Sequence, residues 1–139
     1  PDGDAIGTLL GLGLLLRDLP FPGDSDFSEA EKRAVTLACA DKVPSQFTFL
    51  PGAAEVMPDP PHQTWDAVVT VDASDTQRLG SPFRPDEYQD TPVINLDHHV
   101  TNLYFGNLNY VDPQAAAASQ IIVDLADALH APISLEVAV

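Results

Sequence analysis

The sequence predicts an α/β fold built on a doubly wound, mainly parallel sheet that is flanked by helices. Two observations lead to this prediction. Short apolar runs, such as residues 93–96, end abruptly in acidic or histidine side chains, as buried parallel strands do at their carboxyl ends. The runs are separated by helical or irregular stretches, and no Asn-Gly turn joins two of them as a hairpin would. Ligand sites of such sheets lie at the carboxyl ends of the strands.

The length and composition indicate one domain in a reducing compartment. With 139 residues the chain can bury a core but is small for two domains. Its apolar stretches stay well short of the ~20 residues that span a bilayer, and its first residues do not have the pattern of a signal peptide. The single cysteine, Cys39, excludes an intrachain disulfide and is typical of core packing. We therefore expect a cytoplasmic protein without membrane contact.

The charge balance restricts the partners. The net charge is −15, with only six Lys and Arg, which argues against a surface that grips a nucleic-acid backbone. A polyanionic substrate would therefore need bound cations or a separate basic domain to attract it. For most of the acidic residues, solubility alone is a sufficient explanation.

The first helix is predicted over residues 5–18, with Asp4 as its N-cap. Apolar side chains surround this helix almost entirely, so we expect it to be buried on most sides. Its three glycines each cost up to ~1 kcal/mol against alanine, which indicates close approach of a neighbouring strand or of the site. These glycines are Gly7, Gly11 and Gly13.

The next forty residues give weaker signals. Residues 19–27 are predicted to be a surface loop, and Ser28 with Glu31 has the spacing of a capping box. Residues 33–41 favour a strand because of their β-branched pair and proline exit, with continuation of a helix as the alternative. The proline-rich residues 44–63 are predicted to be irregular.

Three strands and a second helix follow. Strands are predicted over residues 64–71, 93–96 and 103–111. A helix capped by Asp112 is predicted over residues 113–131, because proline suits the first turn and Pro132 stops it. Residues 133–139 have the pattern of the start of another helix or strand.

Several side chains near the strand ends can bind metal. Asp2 and Asp4, two positions apart, can point at two adjacent ions, and Asp72 at a strand end is placed to bridge them. His98 can ligate while His99 contacts a substrate or donates a proton. Oxygen and imidazole ligands without thiolates suit Mn²⁺, Mg²⁺ or another divalent ion. Turn capping by the aspartates and an incidental histidine pair remain open alternatives.

Three stretches of the chain resemble, in the same order, motifs of the DHH phosphoesterase family. They are residues 1–8 (PDGDAIGT), 71–80 (VDASDTQRLG) and 97–102 (DHHVTN). Residues 109–113, with the alanine-rich stretch after them, are similar to the bacterial branch of oligoribonucleases that also act as phosphatases on adenosine bisphosphate. The resemblance covers nearly the whole chain.

The resemblance implies two Mn²⁺ ions, with Mg²⁺ or Co²⁺ as alternatives. Asp2 and Asp4 are each expected to ligate one ion. Asp72 is expected to bridge the two ions and His98 to complete the second.

The resemblance also implies roles around these ligands. His99 is expected to act against the scissile phosphate, and Asp97 to orient an imidazole. Asp75 and Asn102 match family positions near the site and are expected to support it, with local turn capping as the alternative.

The resemblance further implies that residues 1–139 are a partial catalytic domain, truncated at both ends. The family has a histidine before position 1, an aspartate beyond position 139 and a second, smaller domain that binds the substrate. We expect the full-length protein to be active and leave open the activity of this fragment. The expected partners are a short RNA or nucleotide and the C-terminal domain, with a homodimer left open.

The implied function is Mn²⁺-dependent hydrolysis of short oligoribonucleotides (nanoRNA) or adenosine 3′,5′-bisphosphate. Within the same chemistry, a cyclic-dinucleotide phosphodiesterase and a family II inorganic pyrophosphatase are alternatives. A non-catalytic nucleotide-binding or regulatory module is the alternative from another class. Whether the protein binds Mn²⁺ distinguishes the enzyme hypotheses from the hypothesis of a non-catalytic module.

Overall fold

The computed structural model describes residues 1–19, 34–88 and 90–139. Its helices and strands in chain order are α1 (Gly3–Asp18), β1 (Val68–Val71), β2 (Val93–Asp97), β3 (Leu108–Val111), α2 (Ala118–Ala128) and α3 (Leu135–Ala138). Short 3₁₀ turns occur at Ser45–Phe47, Ala53–Glu55 and Pro85–Glu87. Among the described residues, no helix combines the length and the apolar character needed to cross a bilayer.

The three strands form one parallel sheet in the order β1-β2-β3. Val71 lies opposite Leu96, and Asp97 lies opposite Val111. All three strands therefore end at the same edge of the sheet, where the side chains that follow β1 and β2 are brought together. The predicted α/β fold with a parallel sheet flanked by helices is confirmed, although β1 and β3 are shorter than the predicted strands.

Helix α1 is buried between two apolar clusters, as its sequence predicts. One cluster joins α1 to the sheet and α2, and its buried residues are Leu12, Leu15, Leu19, Leu96, Ala115, Ile121, Ile122 and Ala126. The other joins α1 to the chain after residue 34, through Ile6, Leu10, Leu37 and Ala53. The helix is thus a central layer, and its first turn is fixed at the sheet edge that carries the strand ends.

The close approach predicted for the glycines of α1 occurs at Gly13. A Cβ built there would lie 2.3 Å from a methyl carbon of Leu37, so a larger residue would require that side chain to move. Gly7 has open space, and the nearest atom to a Cβ at Gly11 is 3.9 Å away. Of the three glycines, only Gly13 lies this close to a neighbour, and that neighbour is a side chain rather than the strand or site that the sequence indicates.

The strand predicted over residues 33–41 is wrong for the described part of that segment. Only an isolated parallel bridge joins Ala38 to Met57, with Met57 N–H donating to Leu37 O at 3.0 Å and Cys39 N–H donating to Met57 O at 3.2 Å. Among the described residues, this bridge is not continued into a ladder. Of the loop predicted over residues 19–27, only Leu19 is described, and it is the buried C-cap of α1. The capping box predicted at Ser28 and Glu31 lies outside the described residues.

The predicted start of the second helix is also wrong. The Asp112 carboxylate accepts from Gln114 N–H at 2.9 Å and closes a local turn instead of capping a helix. Helix α2 begins five residues after Pro113, at Ala118, and its N-cap Ala117 offers no side-chain acceptor. The acceptor comes from a distant residue, as described below.

Candidate metal centre

Asp72 follows β1 directly and is held in an unusual backbone conformation. Its φ is +51°, in the left-handed region that aspartate tolerates better than most residues. Its N–H still donates to Leu96 O at 3.0 Å, so the turn is attached to β2. The turn aims the side chain into the sheet edge, where only 6% of it is exposed.

Three further side chains meet Asp72 there. Nε2 of His98 lies 3.5 Å from Asp72 Oδ1 and 3.5 Å from Asp4 Oδ2. Nδ1 of His99 lies 3.7 Å from the same Asp72 oxygen. Asp72, His98 and His99 each offer one ligand atom, and these three atoms lie within 4.8 Å of one another. This spacing is suitable for one cation. The strand ends and the first turn of α1 therefore converge, as predicted.

The orientation of His98 is set by the backbone. Its Nδ1 lies 3.2 Å from Ala115 O, and because a carbonyl oxygen only accepts, Nδ1 carries the proton. In the neutral ring Nε2 then presents its lone pair to Asp4 and Asp72. This tautomer is the one that a metal-binding histidine needs.

Asp4 has a structural role that its position on α1 does not suggest. Its Oδ2 accepts from Ala118 N–H at 2.7 Å and its Oδ1 from Ser119 N–H at 3.1 Å, so it caps helix α2. Thr8 donates a further hydrogen bond at 3.1 Å. The predicted N-cap of α1 is accordingly wrong: Asp2 caps that helix, accepting from Ala5 N–H at 3.0 Å. Burial alone would raise the pKa of Asp4, but these hydrogen bonds lower it below its ordinary value.

Asp4→Ala is expected to lower the free energy of unfolding of the metal-free protein by about 1–2 kcal/mol, because the first turn of α2 loses its acceptor. Urea denaturation measures this change. The matched control is Asp124→Ala at an exposed position within α2, which is expected to stay within about 0.5 kcal/mol of the wild type. Equal midpoints for the two variants would contradict the capping role.

The chemistry of this group fits a divalent cation. Among the described residues, Asp72 Oδ1 is a buried oxygen without a hydrogen-bond partner, and such an atom is costly unless something binds it. Burial raises the pKa of Asp72 to about 6, and the negative charges of Asp4 and Asp2 add to the rise. A cation at this point would bind the Asp72 oxygen that has no hydrogen-bond partner, and it would reduce the repulsion between the carboxylates. Oxygen and imidazole donors suit Mn²⁺ or Mg²⁺.

Asp97 supports His99 from the interior. It is fully buried, and its Oδ1 accepts from Nδ1 of His99 at 2.7 Å. Its Oδ2 accepts from the Asn102 side-chain amide at 2.6 Å. Burial would raise the pKa of Asp97, but the bonds from Asn102 and His99 lower it. The ionised carboxylate therefore keeps the proton of His99 on Nδ1 and fixes the ring, as expected for an orienting residue.

Two predicted site residues, Asp2 and Asp75, make their hydrogen bonds outside the group formed by Asp4, Asp72, His98 and His99. Asp2 and Asp72 line the same cavity of about 350 Å³, while the Asp2 carboxylate caps α1. Asp75 accepts from the N–H groups of Gln77 at 2.9 Å and Arg78 at 3.2 Å. The structure thus gives Asp75 the turn-capping contacts named as its alternative and does not bring it into the group around Asp72.

Two contributors to the site are not predicted from the sequence. The carbonyl of Ala115 orients His98, and no residue type signals a backbone acceptor. Asn95, in the middle of β2, is completely buried and donates to Asn102 at 3.1 Å. The signal for Asn95 is present in the sequence, because an amide inside an apolar strand must find buried partners.

The chain is similar to a described protein family and to known proteins. Residues 1–138 match the family described as DHH family, N-terminal domain. The chain is 36% identical, over 143 aligned residues, to the bifunctional oligoribonuclease and PAP phosphatase NrnA of Thermus thermophilus. It superposes with a TM-score of 0.75 and 22% identity on the crystal structure of an exopolyphosphatase-related protein from Bacteroides fragilis.

These matches differ in what they establish. They cover 99% of this chain but 37% of the Thermus protein and 40% of the Bacteroides chain. The Bacteroides structure, at its low identity, shows the shared fold. The family match extends over all the elements that build the centre around Asp72. The chain belongs to the DHH family, whose N-terminal domain it matches.

Proposed function

We propose that the full-length protein carrying this chain is a Mn²⁺-dependent phosphoesterase that hydrolyses short oligoribonucleotides or adenosine 3′,5′-bisphosphate. The observation that carries the proposal is the buried Asp72 Oδ1, which among the described residues has no hydrogen-bond partner and lies 3.5 Å from His98 Nε2 and 3.7 Å from His99 Nδ1. The relative from Thermus thermophilus, named an oligoribonuclease and PAP phosphatase, supports the choice of substrates.

Each residue of the centre has a role that its contacts support. Asp4, Asp72 and His98 would hold the cations, with Asp2 as a further ligand at the mouth of the cavity. Bound divalent cations would lower the pKa of a coordinated water and stabilise charge on the phosphoryl and leaving oxygens. His99 keeps one proton on Nδ1 toward Asp97, so its Nε2 can contact an oxygen of the substrate phosphate only when it also carries a proton and acts as the donor.

The acidity of the chain bears on substrate binding. A net charge of −15 repels a polyanion, so the chain by itself offers little electrostatic attraction beyond its cations. We therefore propose that a second, more basic domain of the full-length protein holds the nucleotide. In this proposal the second domain binds the nucleotide, and the centre around Asp72 carries out the hydrolysis.

The proposal is tested by incubating the full-length protein and Mn²⁺ with four substrates separately: a dinucleotide RNA, adenosine 3′,5′-bisphosphate, a cyclic dinucleotide and pyrophosphate. We expect mononucleotide from the first or phosphate from the second, and loss of activity with a chelator. Asp72→Asn is the test variant. Asp66→Asn, at an exposed aspartate before β1, is its matched control.

Other results of this experiment would favour one of the alternative functions. Turnover of the cyclic dinucleotide or of pyrophosphate alone would replace the proposed substrates with those of a cyclic-dinucleotide phosphodiesterase or a pyrophosphatase. Absence of both turnover and Mn²⁺ binding would favour a non-catalytic nucleotide-binding module.

A further inference from the structure

A chain of buried hydrogen bonds runs beneath the candidate centre. It starts at Thr70 on β1, whose hydroxyl donates to Asn95 Oδ1 at 3.2 Å. The Asn95 amide on β2 donates to Asn102 Oδ1 at 3.1 Å, and Asn102 donates to Asp97 Oδ2 at 2.6 Å. Asp97 finally accepts from His99. All members except His99 are buried, so water cannot replace the bonds between them.

The backbone sets the direction of this chain. Tyr104 N–H donates to Asn102 Oδ1 at 2.7 Å, and Asn102 Nδ2 donates to Ala73 O at 3.2 Å. An N–H only donates and a carbonyl only accepts, so the Asn102 amide has one allowed orientation. Its Oδ1 faces Asn95, which must then present its NH₂ group. Asn95 is therefore the donor that completes the bonding of Asn102.

We propose that Asn95 is a positioning residue: its side-chain amide holds Asn102 and, through Asn102, Asp97, so that His99 keeps its proton on Nδ1 and presents Nε2 to the substrate. Only the presentation of Nε2 to the substrate rests on the proposed function. The positions of Asn102 and Asp97 and the tautomer of His99 are properties of the protein without substrate.

The closest probe is Asn95→Asp. It keeps the shape of the side chain and replaces the NH₂ donor with an oxygen that faces Asn102 Oδ1. Asn102 can then no longer satisfy Tyr104, Asn95 and Asp97 together, and we expect Asp97 to lose its fixed position. The matched control is Asn107→Asp, directly before β3, where the side-chain oxygen that accepts from Val93 N–H at 2.8 Å is retained.

The primary measurement is the tautomer of His99 in the metal-free full-length protein, read from ¹⁵N shifts at a pH at which the ring is neutral. We expect the Nδ1–H form in the wild type and in Asn107→Asp. In Asn95→Asp we expect a shift toward the Nε2–H form that unconstrained histidine prefers. An unchanged tautomer in a folded Asn95→Asp protein would overturn the proposal.

A kinetic measurement adds a second test. With a dinucleotide RNA as substrate, Asn95→Asp is expected to lower kcat roughly 10- to 100-fold, the usual cost of losing a residue that supports a site, with little change in KM. Equal losses in kcat and folded fraction would indicate a merely structural role. If the wild type turns over no substrate, the proposed function fails while the tautomer measurement still decides the role of Asn95.

A third measurement needs no variant. The side-chain amide protons of Asn95 are expected to exchange with solvent far more slowly than those of the exposed Asn107 in the wild type. Equal exchange rates would show that Asn95 is not held in the chain, and the proposal would be wrong even if Asn95→Asp does not fold.

Discussion

Asp72→Asn is expected to remove the proposed Mn²⁺-dependent activity and, at the same time, to stabilise the metal-free protein. The loss follows because asparagine would not supply the negative charge with which Asp72 is proposed to hold the cations, and the stabilisation that bound cations supply is worth several kcal/mol and hence about a thousandfold or more in rate. The gain follows because Asp72 is buried beside Asp4, and its carboxylate is repelled in the absence of a cation.

The pH dependence of stability has a definite sign. Burial raises the pKa of Asp72 from 3.8 to about 6, so the folded metal-free protein binds this proton more tightly than the unfolded chain does. Its free energy of unfolding should therefore fall as the pH rises from about 4 to about 6, by up to about 3 kcal/mol. Asp72→Asn should lack this decrease.

Thermal unfolding with and without Mn²⁺ measures both effects. At neutral pH the metal-free variant should melt above the metal-free wild type, and Mn²⁺ should raise the melting temperature of the wild type only. Asp66→Asn should behave as the wild type in both conditions. A variant that is destabilised without metal, or still stabilised by Mn²⁺, would contradict the assignment of Asp72.

Gly106→Ala is expected to destabilise the fold by about 3 kcal/mol or more. A Cβ at this position would lie 2.6 Å from Leu108 O, 2.9 Å from Val93 O and 3.1 Å from Asn95 N. All three are backbone atoms of β2 and β3, which cannot rotate away as a side chain can. The strands would have to separate, at a cost at or above the upper end for overpacking.

The natural control for this change is Gly7→Ala. Gly7 lies inside α1, and a Cβ there meets nothing within 4 Å. The same substitution should stabilise the helix by up to about 1 kcal/mol. Urea denaturation of both variants should give midpoints on opposite sides of the wild type, and a Gly106→Ala midpoint at or above the wild-type value would refute the close approach.

The local sequence was sufficient to predict which strand ends meet at the centre. A buried strand that ends in polar side chains placed Asp72 and His98 at one edge of the sheet, because parallel strands end together. The structure brings their side chains within 3.5 Å of each other. The metal-binding roles of these residues remain predictions for the experiments above.

Long-range contacts account for what the sequence could not predict. Asp112 and Pro113 have the local pattern of a helix start, yet α2 begins at Ala118, where the acceptor is Asp4, 114 residues earlier in the chain. The β-branched residues near Thr36 favour a strand, but the only bridge of this segment among the described residues is to Met57. Partners of this kind are determined by the folded chain and leave no local pattern.

The location of bound Mn²⁺ in crystals of the full-length protein, determined by anomalous scattering, tests the metal centre most directly. We expect two neighbouring peaks roughly 3.5–4 Å apart, both in contact with the Asp72 carboxylate and one of them with Nε2 of His98. Crystals that bind Mn²⁺ elsewhere, or show no peak at Asp72, would contradict this expectation.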